Sequence, residues 1–388
     1  MIGKIVAAAL TSAALLTTAA GLSTAAPLGA TMLPQPTGQF QVGTTTLHLV
    51  DAGRPDPFRP TRPRELMVSV FYPATATELF PRAHYVSTVL VPEIQRQLGI
   101  ELPGLLTNSY ADAPVIPDGR FPVVLYTPGA GVSRLLGTGL AEDLASRGYI
   151  VVAMDHTYEG PAVEFPGGRV ATAAPMPEGF VPSIRKKFIA ARLLDIEFVL
   201  DMLTGLAGGT NPDAENRWLP VGLADALDLD RVGIVGHSSG GYAAVEAMHD
   251  DRRIDAAVDL DGQIGVDEEF GRAAVEGVDR PVLVLTSRQI EEVGDANPSL
   301  DAFFAHGTGW KHQLTMGNSA HYDFTDMPSL VPDAVRPAAE TYFGPIAAPR
   351  AAALTDSYVA ALFDKFLRDD PNTPLDRPGA DPEITTLR

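Results

Sequence analysis

Apolar and polar positions along the chain fall into two regimes. From Phe40 to Val50 and from Glu65 to Tyr72 they alternate with a period of two, as half-buried strands do. A Pro-, Arg- and Asp-rich loop, Asp51 to Arg64, separates them, so the pair predicts an antiparallel opening. From Phe121 onward, short apolar runs alternate with helical segments, which requires crossovers and therefore a parallel sheet. The runs are Phe121–Tyr126, Tyr149–Met154, Arg231–Val235, Ala256–Leu260, Val282–Thr286 and, less apolar, His312–Met316. Helices are predicted over Leu140–Arg147, stopped by Gly148, and over Ile184–Leu203, Tyr242–Met248 and Thr355–Leu367, with a short one over Trp218–Leu227. In the longest, Phe188, Ala191, Leu194, Phe198 and Met202 recur at helical spacing and predict its core face.

The remaining stretches carry no clear period. Ala74–Gly119 is proline-rich with one weak helix, Pro92–Leu98, and reads as an irregular covering insertion. Residues 160–183, rich in Gly, Pro and Met, predict a rim or lid, and the Pro- and Asp-rich residues 369–388 a loose tail. The first 25 residues have the pattern of a cleaved export signal: Lys4, an apolar run Ile5–Leu16, then small residues through Ala26. The apolar run is too short and too rich in Thr and Ser for a membrane anchor, so no stable membrane insertion is expected. Residues 26–388 then form a single α/β domain: a mostly parallel central sheet, helices on both faces and an antiparallel N-terminal strand pair.

Charge and cysteine usage narrow the chemistry. A net charge of −19 argues against nucleic acid and against anionic membrane surfaces as partners. The absence of cysteine excludes disulfide staples, thiolate nucleophiles and Cys-ligated zinc, so an exported fold must rely on its core.

Gly236-His237-Ser238-Ser239-Gly240, followed by Gly241, lies between an apolar strand and a helix, the context of a nucleophile elbow. Its turn strains the serine backbone, so the flanking residues must be nearly free of side chains. A serine hydroxyl needs a base, and the base needs a third group to fix its tautomer; in this architecture the chain order is Ser, acid, His. Of eight histidines, His48, His84 and His156 precede Ser238, His237 is read as pointing away from it, and His249 comes too early. His312 should alternate into the sheet, whereas His321 follows the last parallel strand in a polar loop, where active-site loops leave such sheets. His321 is therefore the candidate base. For the acid, Asp261 stands at the carboxyl end of Ala256–Leu260, while Asp259 lies deeper; burial cost favours Asp261, with Asp259 in reserve. The oxyanion donors are assigned to the N–H of Ser239 and, from the loop Thr127–Gly131, that of Ala130. His156 lines the cleft.

Together these pieces resemble the platelet-activating-factor acetylhydrolase family of secreted α/β hydrolases, over roughly Phe121–Asp326 with a weaker echo in the strands before it, and the resemblance implies an α/β-hydrolase fold. The likeness rests on the Gly236–Gly241 elbow, the Leu260-Asp261 context of the acid, His321 ahead of Asp323-Phe324, and Gly129-Ala130-Gly131 after the strand. Ser239 replaces the family's bulky elbow residue, Gly262-Gln263-Ile264-Gly265 its aromatic-rich run, and Thr127-Pro128 its Ser-His, which implies a different pocket wall. The resemblance implies a secreted esterase acting on short-acyl lipids, without metal or organic cofactor. The same residues would serve a lipase, a polyester hydrolase or an acyltransferase, and a non-catalytic binding protein on this fold is the alternative of another class.

Overall fold

The structure is a computed structural model that describes residues 33–98, 104–175, 182–266, 269–288, 297–331, 336–377 and 379–388. The expected export signal lies outside them. The chain opens with β1 (Gln41–Pro55), β2 (Pro63–Ala74), β3 (Arg82–His84), α1 (Val91–Leu98) and β4 (Leu106–Ala111). Next come β5 (Phe121–Thr127), α2 (Thr138–Ser146), β6 (Ile150–Met154), the hairpin of β7 (Ala162–Phe165) and β8 (Arg169–Thr172), and α3 (Pro182–Ala207). The middle of the chain forms α4 (Leu223–Ala226), β9 (Leu227–His237), α5 (Ser239–Asp250) and β10 (Ala256–Leu260). A second small hairpin, β11 (Gly265–Val266) with β12 (Glu269–Phe270), leads to α6 (Arg272–Glu276), β13 (Val282–Ser287) and α7 (Pro298–His306). The chain closes with β14 (Lys311–Met316), α8 (Met327–Leu330), α9 (Ala348–Leu367) and β15 (Ile384–Thr386).

An 11-stranded sheet runs in the order β15-β14-β13-β10-β9-β5-β6-β2-β1-β4-β3. Its centre, from β14 to β6, is parallel, and β2 joins β6 in antiparallel register. Because the strands are covered on both faces, their residues are apolar throughout and alternate between two cores. Val123, Leu125, Val232, Ile234 and Val284 face a layer built on α3, α5, α6 and α7. Val124, Tyr126, Val235, Val258 and Leu285 face α2 and α9.

Several sequence expectations need correcting. The β1–β2 pair runs from Gln41 opposite Ala74 to Asp51 opposite Arg64, and the strands reach Pro55 and Pro63, so half of the predicted connecting loop is strand. The segment 74–119 is not wholly irregular, because β4 pairs parallel to β1 and β3 antiparallel to β4, extending the main sheet. The tail is not loose along its length: β15 pairs antiparallel with β14, with Leu314 opposite Thr386. The short helix reaches back only to Leu223, and Trp218 is 99 % exposed. The buried face of α3 is rotated from the predicted stripe. Leu194 is 48 % exposed, while Arg192 and Asp195 are fully buried beside Ala191, Ile196 and Val199. Buried charges at 192 and 195 are invisible to a hydrophobic-periodicity argument, which counts them as solvent-facing.

The 160–183 segment is a fastened hairpin in its described part. Phe165 is buried, Arg169 donates to both carboxylate oxygens of Glu65 at 2.8 and 2.7 Å, and Glu164 accepts from the Ser87 hydroxyl. Among the described residues, no helix is long and apolar enough to cross a membrane.

Candidate active site

At the carboxyl end of the parallel strands, β9 turns sharply into α5. Ser238 occupies the turn with φ 57° and ψ −122°, a strained conformation for a residue with a side chain. The glycines around it are required by close approach. A Cβ on Gly236 would overlap the Gly240 backbone, and one on Gly240 would overlap the Thr127 carbonyl. The Ser238 N–H donates to Leu260 O at 2.8 Å, tying the elbow to the end of β10. Ser239 opens α5, so its N–H precedes the intrahelical ladder and has no carbonyl one turn back to pair with.

Just past β10, Asp261 has φ 57°. This left-handed turn carries its carboxylate off the strand toward the loop after β14. His321 Nδ1 lies 2.7 Å from Asp261 Oδ2. The other contacts of Asp261 come from the end of β13: Ser287 N donates to Oδ1 at 2.5 Å, and its hydroxyl to Oδ2 at 3.1 Å. No motif singles out Ser287 in the sequence, because its role depends on β13 lying beside β10.

Asp259 stays in the core. It is fully buried, neither oxygen has a hydrogen bond of normal geometry, and it underlies the elbow so closely that a Cβ on Gly241 would overlap it. Burial, then the neighbouring charge of Asp261, pushes its carboxyl up to about 8; the Gly262 N–H eases this only in part. A protonated acid held in the core cannot orient an imidazole that already rests on Asp261.

His237 does not simply point away. Its ring packs 4.5 Å from that of His321 at a 42° tilt, and its Nε2 lies 2.8 Å from the His321 carbonyl. Burial, and next the proximity of His321, pulls its pKa well below the usual histidine value, so the neutral ring donates from Nε2 and braces the His321 loop. Tyr322 packs edge-on against His321 at 5.5 Å.

The loop after β5 passes over the serine. A Cβ on Gly129 would stand 3.4 Å from Ser238 Cβ and 3.1 Å from His237 Nδ1. Ala130 is half-exposed at the turn, and Gly131 takes φ 70°. Beneath the loop lies a dry polar network. His156 Nε2 is 2.8 Å from Thr127 Oγ1 and its Nδ1 is 2.9 Å from Asp195 Oδ2. Burial and the Arg192 charge pull His156 down to about 3, so it is neutral. Burial opposes ionisation of Asp195, but Arg64 and the hydrogen bonds from His156 and Arg64 hold it below the usual carboxylate range. His156 is therefore part of the floor and does not line the cleft. Among the described residues, no group of three or more His, Cys, Asp or Glu side chains could hold a metal ion.

A strained serine at a strand-to-helix elbow, on a mostly parallel sheet flanked by helices, defines an α/β hydrolase. More narrowly, the chain belongs to the family of platelet-activating factor acetylhydrolase, isoform II, whose model matches residues 26–344. That match takes in the N-terminal strands, where the sequence resemblance is weaker. A probable 1-alkyl-2-acetylglycerophosphocholine esterase of Arthroderma benhamiae is 28 % identical over 77 % of this chain and 77 % of its own length. The platelet-activating factor acetylhydrolase of Bos taurus is 22 % identical over 77 % of this chain and 69 % of its own. Among solved structures, a ferulic acid esterase from Streptomyces cinnamoneus superposes with a TM-score of 0.78 at 39 % identity, covering 92 % of this chain and 99 % of that one. The protein is a carboxylic ester hydrolase.

Proposed function

We propose that the protein is an exported serine esterase in which Ser238 is the nucleophile, His321 the base and Asp261 the residue that orients it. The observation that carries this reading is the 2.7 Å contact between Asp261 and His321, beside a serine held at φ 57°. His321 takes the Ser238 proton as Oγ attacks the ester carbonyl, then returns it to the departing alcohol. Water, deprotonated by the same imidazole, attacks the acyl-enzyme and frees the acid and Ser238. The N–H groups of Ala130 and Ser239 receive the developing oxyanion. No step calls for a metal or organic cofactor.

For substrate we propose esters with a compact acyl group, short-acyl lipids among them, in keeping with the fungal and bovine relatives. A second reading, an aromatic acyl group, is favoured by the 39 % identity to a ferulic acid esterase. The hairpin of β7 and β8 acts as a fixed rim, since Arg169 and Phe165 fasten it.

The test is burst kinetics with p-nitrophenyl acetate, butyrate and octanoate, together with turnover of methyl ferulate, on wild type and Ser238→Ala. A burst lost in the variant, with acetate or butyrate fastest, supports the short-acyl reading. Methyl ferulate turned over faster than all three selects the aromatic one. Unchanged activity in Ser238→Ala, or no ester turned over by wild type, overturns the mechanism. Export is checked by sequencing the N-terminus of protein recovered from culture medium, where residues 1–25 should be missing.

A further inference from the structure

Arg192 is fully buried on α3, a helix that provides none of the residues assigned above. Its guanidinium is spent on the loop over the serine. Nη1 donates to Pro128 O at 2.5 Å and Nη2 to Gly129 O at 3.1 Å. Nε and Nη2 are held by a single oxygen of Glu159, at 2.9 and 2.6 Å. Glu159 is itself buried, and burial pushes its carboxyl up against the opposing charge of Arg192. This is a rigid fork in a dry site, gripping consecutive backbone carbonyls.

The consequence follows from peptide geometry. In a trans peptide the C=O and the next N–H point in opposite directions. The carbonyl of Gly129 is drawn downward by Arg192 and also accepts from Val132 N at 3.2 Å. The N–H of the same peptide unit belongs to Ala130 and is therefore turned to the other side, where Gly129 approaches Ser238. Hydrogen bonds to the carbonyl also polarise the peptide and make that N–H a stronger donor. The Thr127 side chain, 2.8 Å from His156, anchors the loop where it leaves β5.

We propose that Arg192, backed by Glu159, is a positioning residue for ester hydrolysis: it aims the Ala130 N–H at the oxyanion. The proposal rests on the serine-esterase reading above. It does not touch substrate, so its loss should appear in the transition state and not in ground-state binding.

The test compares wild type with Arg192→Lys, Glu159→Gln and the double variant Arg192→Leu/Glu159→Leu. The double variant removes both buried charges together, so neither is stranded. Active enzyme is counted by p-nitrophenolate released with diethyl p-nitrophenyl phosphate, which corrects for misfolded material. Loss of a whole oxyanion donor costs about 100- to 1000-fold in kcat. A misaimed donor should cost less: about 10- to 100-fold in kcat for Arg192→Lys and the double variant, with KM nearly unchanged. Lys keeps the charge but cannot grip both carbonyls. Affinity for an alkyl boronic acid, which forms a tetrahedral adduct on serine, should fall by the same factor as kcat/KM, while the pH profile of kcat/KM keeps its limbs. Per-site kcat within about twofold of wild type in Arg192→Lys and the double variant overturns the positioning role. A loss in KM alone, with boronate affinity intact, does so too. Ser238→Ala, run alongside, separates the two levels: full activity there would overturn the esterase mechanism itself.

Discussion

Asp259→Asn removes one buried, protonated carboxyl and should gain stability relative to wild type as pH rises. In the native state Asp259 is fully buried without a hydrogen bond of normal geometry, and its carboxyl is pushed up to about 8 by burial and by Asp261. Unfolded, it would titrate near the ordinary value of about 3.9. A folded pKa above the unfolded one gives stability that is fully present below about pH 4 and lost as pH rises through 8. In that window the native state holds a proton that the unfolded chain releases, at about 1.4 kcal/mol per pH unit. The ceiling is on the order of 5 kcal/mol, against a total stability of about 5–15 kcal/mol for a typical domain. Asparagine has nearly the same shape and does not titrate. Whatever its amide costs in that site is independent of pH and cancels from the slope. Urea unfolding of both proteins at pH 5, 6, 7 and 8, at constant ionic strength, reads the difference directly. The variant should gain on wild type by about 1 kcal/mol or more for each pH unit. Its esterase activity should stay within a few-fold, because Asp261 and not Asp259 meets His321. A stability difference that stays flat from pH 5 to 8 would refute the assignment of a neutral Asp259.

The other predictions address the neighbouring groups. Asp261→Asn should leave circular dichroism unchanged while kcat drops by about 10⁴-fold, since the amide stabilises the wrong imidazole tautomer; a loss below tenfold would remove Asp261 from the mechanism. Arg64→Met should destabilise by about 3–5 kcal/mol in urea, because it takes from Asp56 its buried cation at 2.8 Å and from Asp195 one at 2.6 Å, leaving Asp195 to Arg54 and His156. Gly240→Ala should yield little soluble folded protein, as its methyl would overlap the Thr127 carbonyl. Gly167→Ala is the contrast: with φ +79° and open space around it, it should cost only about 1–2 kcal/mol of backbone strain.

Much of this protein could be read along the chain, where the physics is local. Glycines flanking Ser238 announce a turn that tolerates no side chain, and the strand before it and helix after it follow from short apolar runs. The preference for Asp261 over Asp259 needed only the cost of burying an unpaired charge, and the structure places Asp261 on His321 while leaving Asp259 in the core. What escaped depends on contacts between distant segments. β15 is a strand because β14 offers it an unpaired edge, not because Ile384–Thr386 has a strong pattern of its own. β3 and β4 likewise form against β1 inside a stretch dominated by proline.

The polar floor under the loop is the clearest case. Arg192 reaches Pro128 across 64 positions and Glu159 across 33, and His156 reaches Asp195 across 39. By sequence alone, Arg192 and Asp195 are the solvent side of a helix. Only packing decides that they face inward, because a buried charge is tolerated where folding delivers its partners to it. The sequence by itself thus determined the serine elbow, the chain order of its candidate partners and the layered sheet that carries them. Tertiary structure alone decided which charges are dry, and therefore what holds the backbone over Ser238.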